Sequence, residues 1–408
     1  DPRGALEAAK EMGVAPENCL YFGDTNTEAT DMMYSAVGVK VPASCGIEGH
    51  YKGDNRGTHG IPTTDCDQGH RYTCECVNLV VPKGGSYRMA TAVNGKSEYN
   101  AGEALPNHYT PRQFDTYIYG DYIYKYNKGT ENHSDFGTEW SVKTRSTTKS
   151  EYGTILSEIA GKPVTYMTET FQYCTSITTA PAIPNSVTNM YRTFYGCTSL
   201  TTAPAIPNSV TSMSSTFEGC TSLTTVPTIP SSVTDMTATF DRCTSLTTAP
   251  AIPNSVTNMN FTFSQCTSLT TAPTIPNSVT SMCKTFCACR SLTTAPAIPS
   301  SVTNMYETFW ECTSLTTAQV ISNGVTNMKG TFDTCTSLTT VPTIPSSVTN
   351  MENTFSRCSC LTGTIEINAN PTKYDFCFYS TSKPIVLTGT STMLSQIAGN
   401  QSNITIQQ

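Results

Sequence analysis

Two groups of residues in this sequence have types and spacings that could do chemistry. Asp24 and Glu28 follow the apolar run Asn18-Cys-Leu-Tyr-Phe22. That run reads as a buried strand, and Gly23 to Glu28 as the loop at its C-terminal end. Carboxylates so placed in an α/β sheet suit Mg²⁺. The second group is cysteine. Cys66, His70, Cys74 and Cys76 are zinc-type donors, but the order C-x3-H-x3-C-x-C fits no established zinc spacing. Cys283, Cys287 and Cys289 crowd together with no His or Asp nearby. Nine cysteines, from Cys174 to Cys358, recur at a strict interval of 23 residues. A fixed interval signals a repeat architecture rather than a disulfide framework.

The elements that must position these cysteines share the interval. Met167 to Met351, Phe171 to Phe355 and Val164 to Val348 each recur nine times, and Ile177 begins a Leu row from Leu200 to Leu361. Nine units of 23 residues span 164–370. A unit reads V-T-N-M-x-x-T-F-x-x-C-T-S-L-T-T-A-P-x-I-P-x-S, as from Val187 to Ser209. Met190, Phe194 and Cys197 stand at i, i+4 and i+7, which predicts a short helical turn. Leu200 to Ile206 reads as extended, because Pro204 and Pro207 exclude a helix. Neither part can bury its apolar side alone, so units must stack as a solenoid. Each cysteine shares the Met and Phe face and is expected as a small, reduced core residue.

Variation among the units marks a candidate site. The two residues after each Met and the two after each Phe change freely, while the Thr, Ser and Asn positions hardly vary. Tyr191, Arg192, Tyr195, Phe261, Tyr306, Glu307, Trp310 and Glu311 lie in this row. Aromatics and Arg dominate binding energetics, so a variable row on an invariant scaffold suits a binding face. The competing reading is drift on a solvated face after tandem duplication. A Thr-ladder ice-binding surface is disfavoured, because adjacent Thr201 and Thr202 would point to opposite faces of a strand.

The flanks are less regular. Tyr152, Ile155, Leu156 and Ile159 have helical spacing before Gly161 and Pro163, predicting a cap helix over 150–163. Tyr117, Tyr119, Tyr122, Tyr124 and Tyr126 alternate around Gly120-Asp121, predicting a hairpin with Tyr in the core, and Glu139 to Thr144 adds a strand. These define a small Tyr-rich β module over 86–149. Residues 42–85 read as linker or loosely ordered chain. Three β-like runs, at 364–367, 384–387 and 403–406, predict a C-terminal cap over 371–408.

Composition narrows function. Lys and Arg number 24 against 31 Asp and Glu, a net charge of −7, which argues against nucleic acid. No run approaches the ~18 apolar residues of a membrane-spanning helix. No signal peptide is visible.

The repeats resemble the leucine-rich repeats of bacterial surface proteins, the BspA-like or Treponema-type class. Ser186-Val187-Thr188, Phe194-x-x-Cys197-Thr198-Ser199-Leu200 and Ile206-Pro207 carry the likeness. The extra Pro in Thr-Thr-Ala-Pro departs from that class and predicts a short or irregular sheet. The resemblance implies a leucine-rich-repeat-like solenoid, surface or extracellular location, and adhesion to host or neighbouring-cell proteins or glycans without catalysis. Separately, Val14-Ala-Pro-Glu-Asn-Cys-Leu-Tyr-Phe-Gly-Asp-Thr-Asn-Thr-Glu28 resembles the acidic metal motif of haloacid-dehalogenase-type phosphatases. Residues 1–41 then form a truncated α/β fragment, with a second helix over Ala29 to Val37 and Asp24 and Glu28 as vestigial metal ligands. The family's nucleophilic D-x-D, Thr/Ser motif and Lys have no counterpart in residues 1–41. Phosphatase activity, with Mg²⁺, is therefore expected only if a missing half is supplied, and without a nucleophile no phosphoaspartate forms. A passive structural spacer is the remaining alternative.

Overall fold

A computed structural model describes residues 19–23, 30–34, 79–106, 109, 111–127 and 139–407. Asp24, Glu28, Cys66, His70, Cys74 and Cys76 lie outside the described residues. The chain divides into two compact units, Asp1–Val142 with Leu156–Val164, and Lys143–Ile155 with Thr165–Gln408.

In the first unit, β1 (Cys19–Gly23) pairs antiparallel with β2 (Thr30–Tyr34), Cys19 opposite Tyr34. The helix expected over Ala29 to Val37 is thus replaced by a strand. The β-branched Thr30 and the apolar Met32-Met33-Tyr34 suit a strand when a partner lies alongside. The remaining strands are β3 (Ser86–Val93), β4 (Lys96–Asn100), β5 (Thr116–Tyr119), β6 (Tyr122–Asn127), β7 (Glu139–Thr144), β8 (Glu158–Ile159) and β9 (Lys162–Tyr166). They form one sheet in the order β4-β3-β5-β6-β7-β9-β8. Asn94 and Gly95, both at positive φ, make the tight β3–β4 turn. Tyr87, Tyr117, Tyr122, Tyr124, Tyr126 and Trp140 fill the core. Buried Asp115 ties it together, accepting hydrogen bonds from the Tyr87 and Tyr109 hydroxyls (2.8 and 2.5 Å) and the Ala90 and Arg112 amides (2.9 and 3.0 Å).

Two flank expectations are corrected. Residues 79–85 are not linker: Leu79 and Val81 are buried, and Val80 bridges Ala104. The apolar run Leu79-Val80-Val81 supplies core to the module and is easily missed among polar neighbours. The cap helix over 150–163 is absent. Ala160 and Gly161 take positive φ, 49° and 67°, and turn β8 into β9. Such a turn suits a hairpin and stops a helix. Within the second unit, extended residues 143–155 cover the first coil. The Tyr152 ring meets Phe171 at 5.1 Å, and its hydroxyl contacts Cys174 Sγ at 3.3 Å.

The repeats of the second unit are curls rather than helices. The residues two after each Met and two after each Phe carry positive φ, for example Arg192 (50°) and Gly196 (70°). The N–H groups of Met190, Arg192, Phe194 and Gly196 donate to the carbonyls of Ser212, Ser214, Thr216 and Glu218 in the next coil (3.1, 3.1, 2.9 and 2.8 Å). Those of Thr193, Tyr195 and Cys197 close turns onto Met190, Arg192 and Phe194. An isolated turn of eight residues is a poor helix. The curl keeps Met, Phe and Cys inside and gains four bonds to its neighbour.

Identical residues stack from coil to coil. Phe171 through Phe378 form a continuous column with ring centroids 5.1–5.8 Å apart and planes within 21° of parallel. Val, Met, Cys and Leu rows are buried beside it. As the extra proline predicts, pairing on the other side is reduced to single parallel rungs such as Thr179 to Thr202 and Thr202 to Thr225. A second rung row links the residues before each Met, Asn189 to Ser212 to Asp235 and onward.

Three of the recurring residues bond to the preceding coil. Thr216 Oγ1 donates to the Met190 carbonyl at 2.9 Å, Ser209 Oγ to the Val187 carbonyl at 2.6 Å, and Cys220 Sγ to the Phe194 carbonyl at 3.1 Å. Asn189 Oδ1 accepts the Tyr191 N–H at 2.8 Å and starts the curl. Burial pushes the ladder thiols up, as for Cys220 and Cys266, and the thirteen cysteines from Cys174 to Cys377 are free. At the far end, β10 (Gly363–Glu366), β11 (Ile385–Thr388) and β12 (Ile404–Ile406) form a parallel sheet, and α1 (Leu394–Ala398) buries Leu394 and Ile397.

Candidate binding face

The variable row lies on the curls. The recurring coil-to-coil bonds there are made by the backbone, so the fold requires no one side chain at these positions. Tyr191, Arg192, Tyr195, Phe261, Tyr306, Glu307, Trp310 and Glu311 are all half-buried. The row is not uniformly open, however. The position following each Phe is buried where the residue is Asp241, Ser264, Cys287, Asp333 or Ser356, and half-buried where it is Tyr195 or Trp310.

The structure gathers the eight residues into three groups. In the first, the Arg192 guanidinium lies 5.1 Å from the Tyr191 ring centroid and 5.3 Å from that of Tyr195. Tyr173 meets Tyr195 edge-to-face at 5.2 Å. In the second, Lys284 Nζ stands between the Phe261 and Tyr306 rings, 5.6 and 5.7 Å away, and pairs with Glu307 at 3.1 Å. The hydrogen bond with Glu307 is the leading cause that pushes the Tyr306 phenol up to about 12. In the third, Glu311 pairs with Arg290 at 2.9 Å, one residue from Trp310.

Neighbouring coils match charge along the row. Lys329 pairs with Glu352 at 3.2 Å, and Arg357 with Asp333 at 2.6 Å. Asp241 is not matched in this way: its Oδ1 is buried with no hydrogen-bond partner, and burial leads the causes that push its carboxyl up to about 6. Among the described residues no cluster of His, Cys, Asp or Glu could hold a metal ion.

The BspA type Leucine rich repeat region matches residues 164–293 and 260–385, more than half of the chain. The chain belongs to this family. No curated protein sequence matches it. Among solved structures, it is similar to a leucine rich cell surface protein from Faecalibacterium prausnitzii A2-165, 22% identical, covering 72% of this chain and 95% of that one (TM-score 0.45). It is also similar to the Leucine Rich Repeat protein of T. pallidum, 22% identical over 51% and 85% (TM-score 0.34). A third, from Bacteroides ovatus ATCC 8483, is 19% identical over 71% and 99% (TM-score 0.31).

Within this BspA-type array, three members of the face were not among the eight residues singled out from the sequence. Lys284 is the cation that joins Phe261, Tyr306 and Glu307, and only folding sets these coils side by side. Arg290 follows a ladder cysteine, outside the variable pairs. Tyr173, 59% exposed, occupies the row in the first repeat. Its position, two after Phe171, was the available signal.

Proposed function

We propose that this BspA-type protein is a bacterial surface or secreted protein that binds protein or glycan partners through its variable row and performs no catalysis. One observation carries the reading. The recurring Thr before each Phe, the Ser before each Val and the ladder Cys are bonded between coils, whereas Tyr173, Tyr191, Tyr195, Tyr306 and Trp310 stand partly exposed at positions where the residue type changes from coil to coil. Aromatic rings offer large contact area at small entropic cost, which makes them effective anchors. Family membership supports a surface location, and no helix among the described residues is long and apolar enough to cross a membrane. The phosphatase alternative gains no support from the family match.

The test is binding of the full chain to immobilised matrix proteins and a glycan array. The comparison protein carries Tyr191, Tyr195, Tyr306 and Trp310 changed to Ala, with its fold checked by circular dichroism. Saturable binding that the changes abolish is expected. Equal binding by both proteins removes the face, and absence of binding by either favours a passive spacer.

A further inference from the structure

The first group of the face differs from the others in its charge balance. Lys284, Arg290, Lys329 and Arg357 each have a carboxylate partner in an adjacent coil. Arg192 has none among the described residues; its Nε is buried without a hydrogen-bond partner. It is held instead by the Tyr191 and Tyr195 rings. A guanidinium fixed between aromatic faces keeps its planar fork oriented for a carboxylate.

Two glycines neighbour this group. A Cβ on Gly196 would stand 2.8 Å from Tyr173 Cδ1, so the Tyr173 ring lies directly over that glycine. Gly219 continues the row in the next coil, where a Cβ would meet Gly196 Cα at 3.6 Å. The Tyr173 ring thus covers Gly196, and Gly219 follows as a second position with no side chain. Glu218, beside Gly219, is close enough to Tyr195 to be the first cause raising its phenol pKa. It supplies an acceptor for hydroxyl groups.

We propose that Tyr173, Tyr191, Arg192 and Tyr195, with the Gly196–Gly219 strip, form a binding site for a carboxylate-bearing saccharide. The sugar's C–H face would lie on the tyrosine ring and its carboxylate on the Arg192 fork. An acidic peptide shares the charge, but the exposed Tyr173 ring offers a platform for the C–H face of a pyranose ring. The inference rests on the variable row being a binding face, and it names the ligand for one end of it.

The test is titration of the full chain with α2-3-sialyllactose and with a glucuronic-acid oligosaccharide, using neutral lactose and a poly-glutamate peptide as comparisons. Binding of at least one acidic saccharide is expected, with lactose much weaker. Arg192→Gln should weaken it roughly 10- to 100-fold, the worth of a charged hydrogen-bonded pair. Tyr173→Ala should weaken it too, whereas Val320→Ala, at an exposed position outside the row, should leave it unchanged. Binding that survives Arg192→Gln, absence of binding to both acidic saccharides, or preference for poly-glutamate overturns the proposal. If protein ligands still bind and are lost on Tyr306→Ala, the face stands and only the saccharide site falls.

Discussion

Asp241→Asn tests whether the row tolerates a buried charge at a cost. The Asp241 side chain sits in a residue only 7% exposed, with Oδ1 unpartnered. Burial raises its carboxyl from 3.8 to about 6, against the lowering effects of Ser264 and Arg242, and Glu218 adds to the rise. A folded pKa above the unfolded one means that the folded chain holds the proton more tightly. The stability from this group is complete below about pH 4 and is lost as pH rises through about 6. The rise from 3.8 to about 6 corresponds to about 3 kcal/mol, at about 1.4 kcal/mol per pH unit. Asn keeps the shape and removes the charge. Urea unfolding of both proteins at pH 4 and pH 7.5 cancels the titration of every other group in the difference. The variant should match the parent at pH 4 and exceed it by about 2–3 kcal/mol at pH 7.5. A difference independent of pH, or a variant weaker at pH 7.5, would refute the reasoning.

Three further outcomes follow from the ladders. Thr262→Val removes the Oγ1 donor to the Met236 carbonyl (3.0 Å) and should lower stability by about 1–3 kcal/mol in denaturant titration. Phe263→Ala opens the aromatic column between Phe240 and Phe286 and should cost about 3–5 kcal/mol, with hydrogen exchange accelerating first in the flanking coils. Peptide mapping after thiol labelling of the native chain should find exposed Cys360 modified and buried Cys266 modified only in denaturant.

The solenoid was legible because 23-residue periodicity leaves one physical solution: apolar rows that recur in register must stack. The same periodicity could not separate helix from curl. Spacing of Met190, Phe194 and Cys197 at i, i+4 and i+7 fits both, and the choice falls to backbone bonds with a neighbouring coil that a single unit does not contain. The 150–163 segment misled for a related reason. Its helical apolar spacing is real, but Ile159 finds its place in a sheet, where its carbonyl accepts the Trp140 Nε1–H at 3.0 Å. The variable row was visible as variation among units. Its internal pairing was not, because Lys284 and Glu307, or Asp333 and Arg357, lie 23 or 24 residues apart in sequence.

The sequence by itself determined the repeat, its register, the identity of the buried rows and the family. Those follow from local composition and period, which survive in one dimension. Tertiary structure alone decided which polar residues are structural and which are open to a partner. Thr216 and Tyr195 are equally polar in sequence. Stacking buries the Thr216 hydroxyl on the Met190 carbonyl and leaves the Tyr195 ring half-buried beside Arg192. Hydrogen-bond satisfaction and charge pairing are properties of neighbouring coils, and only the folded chain makes coils neighbours.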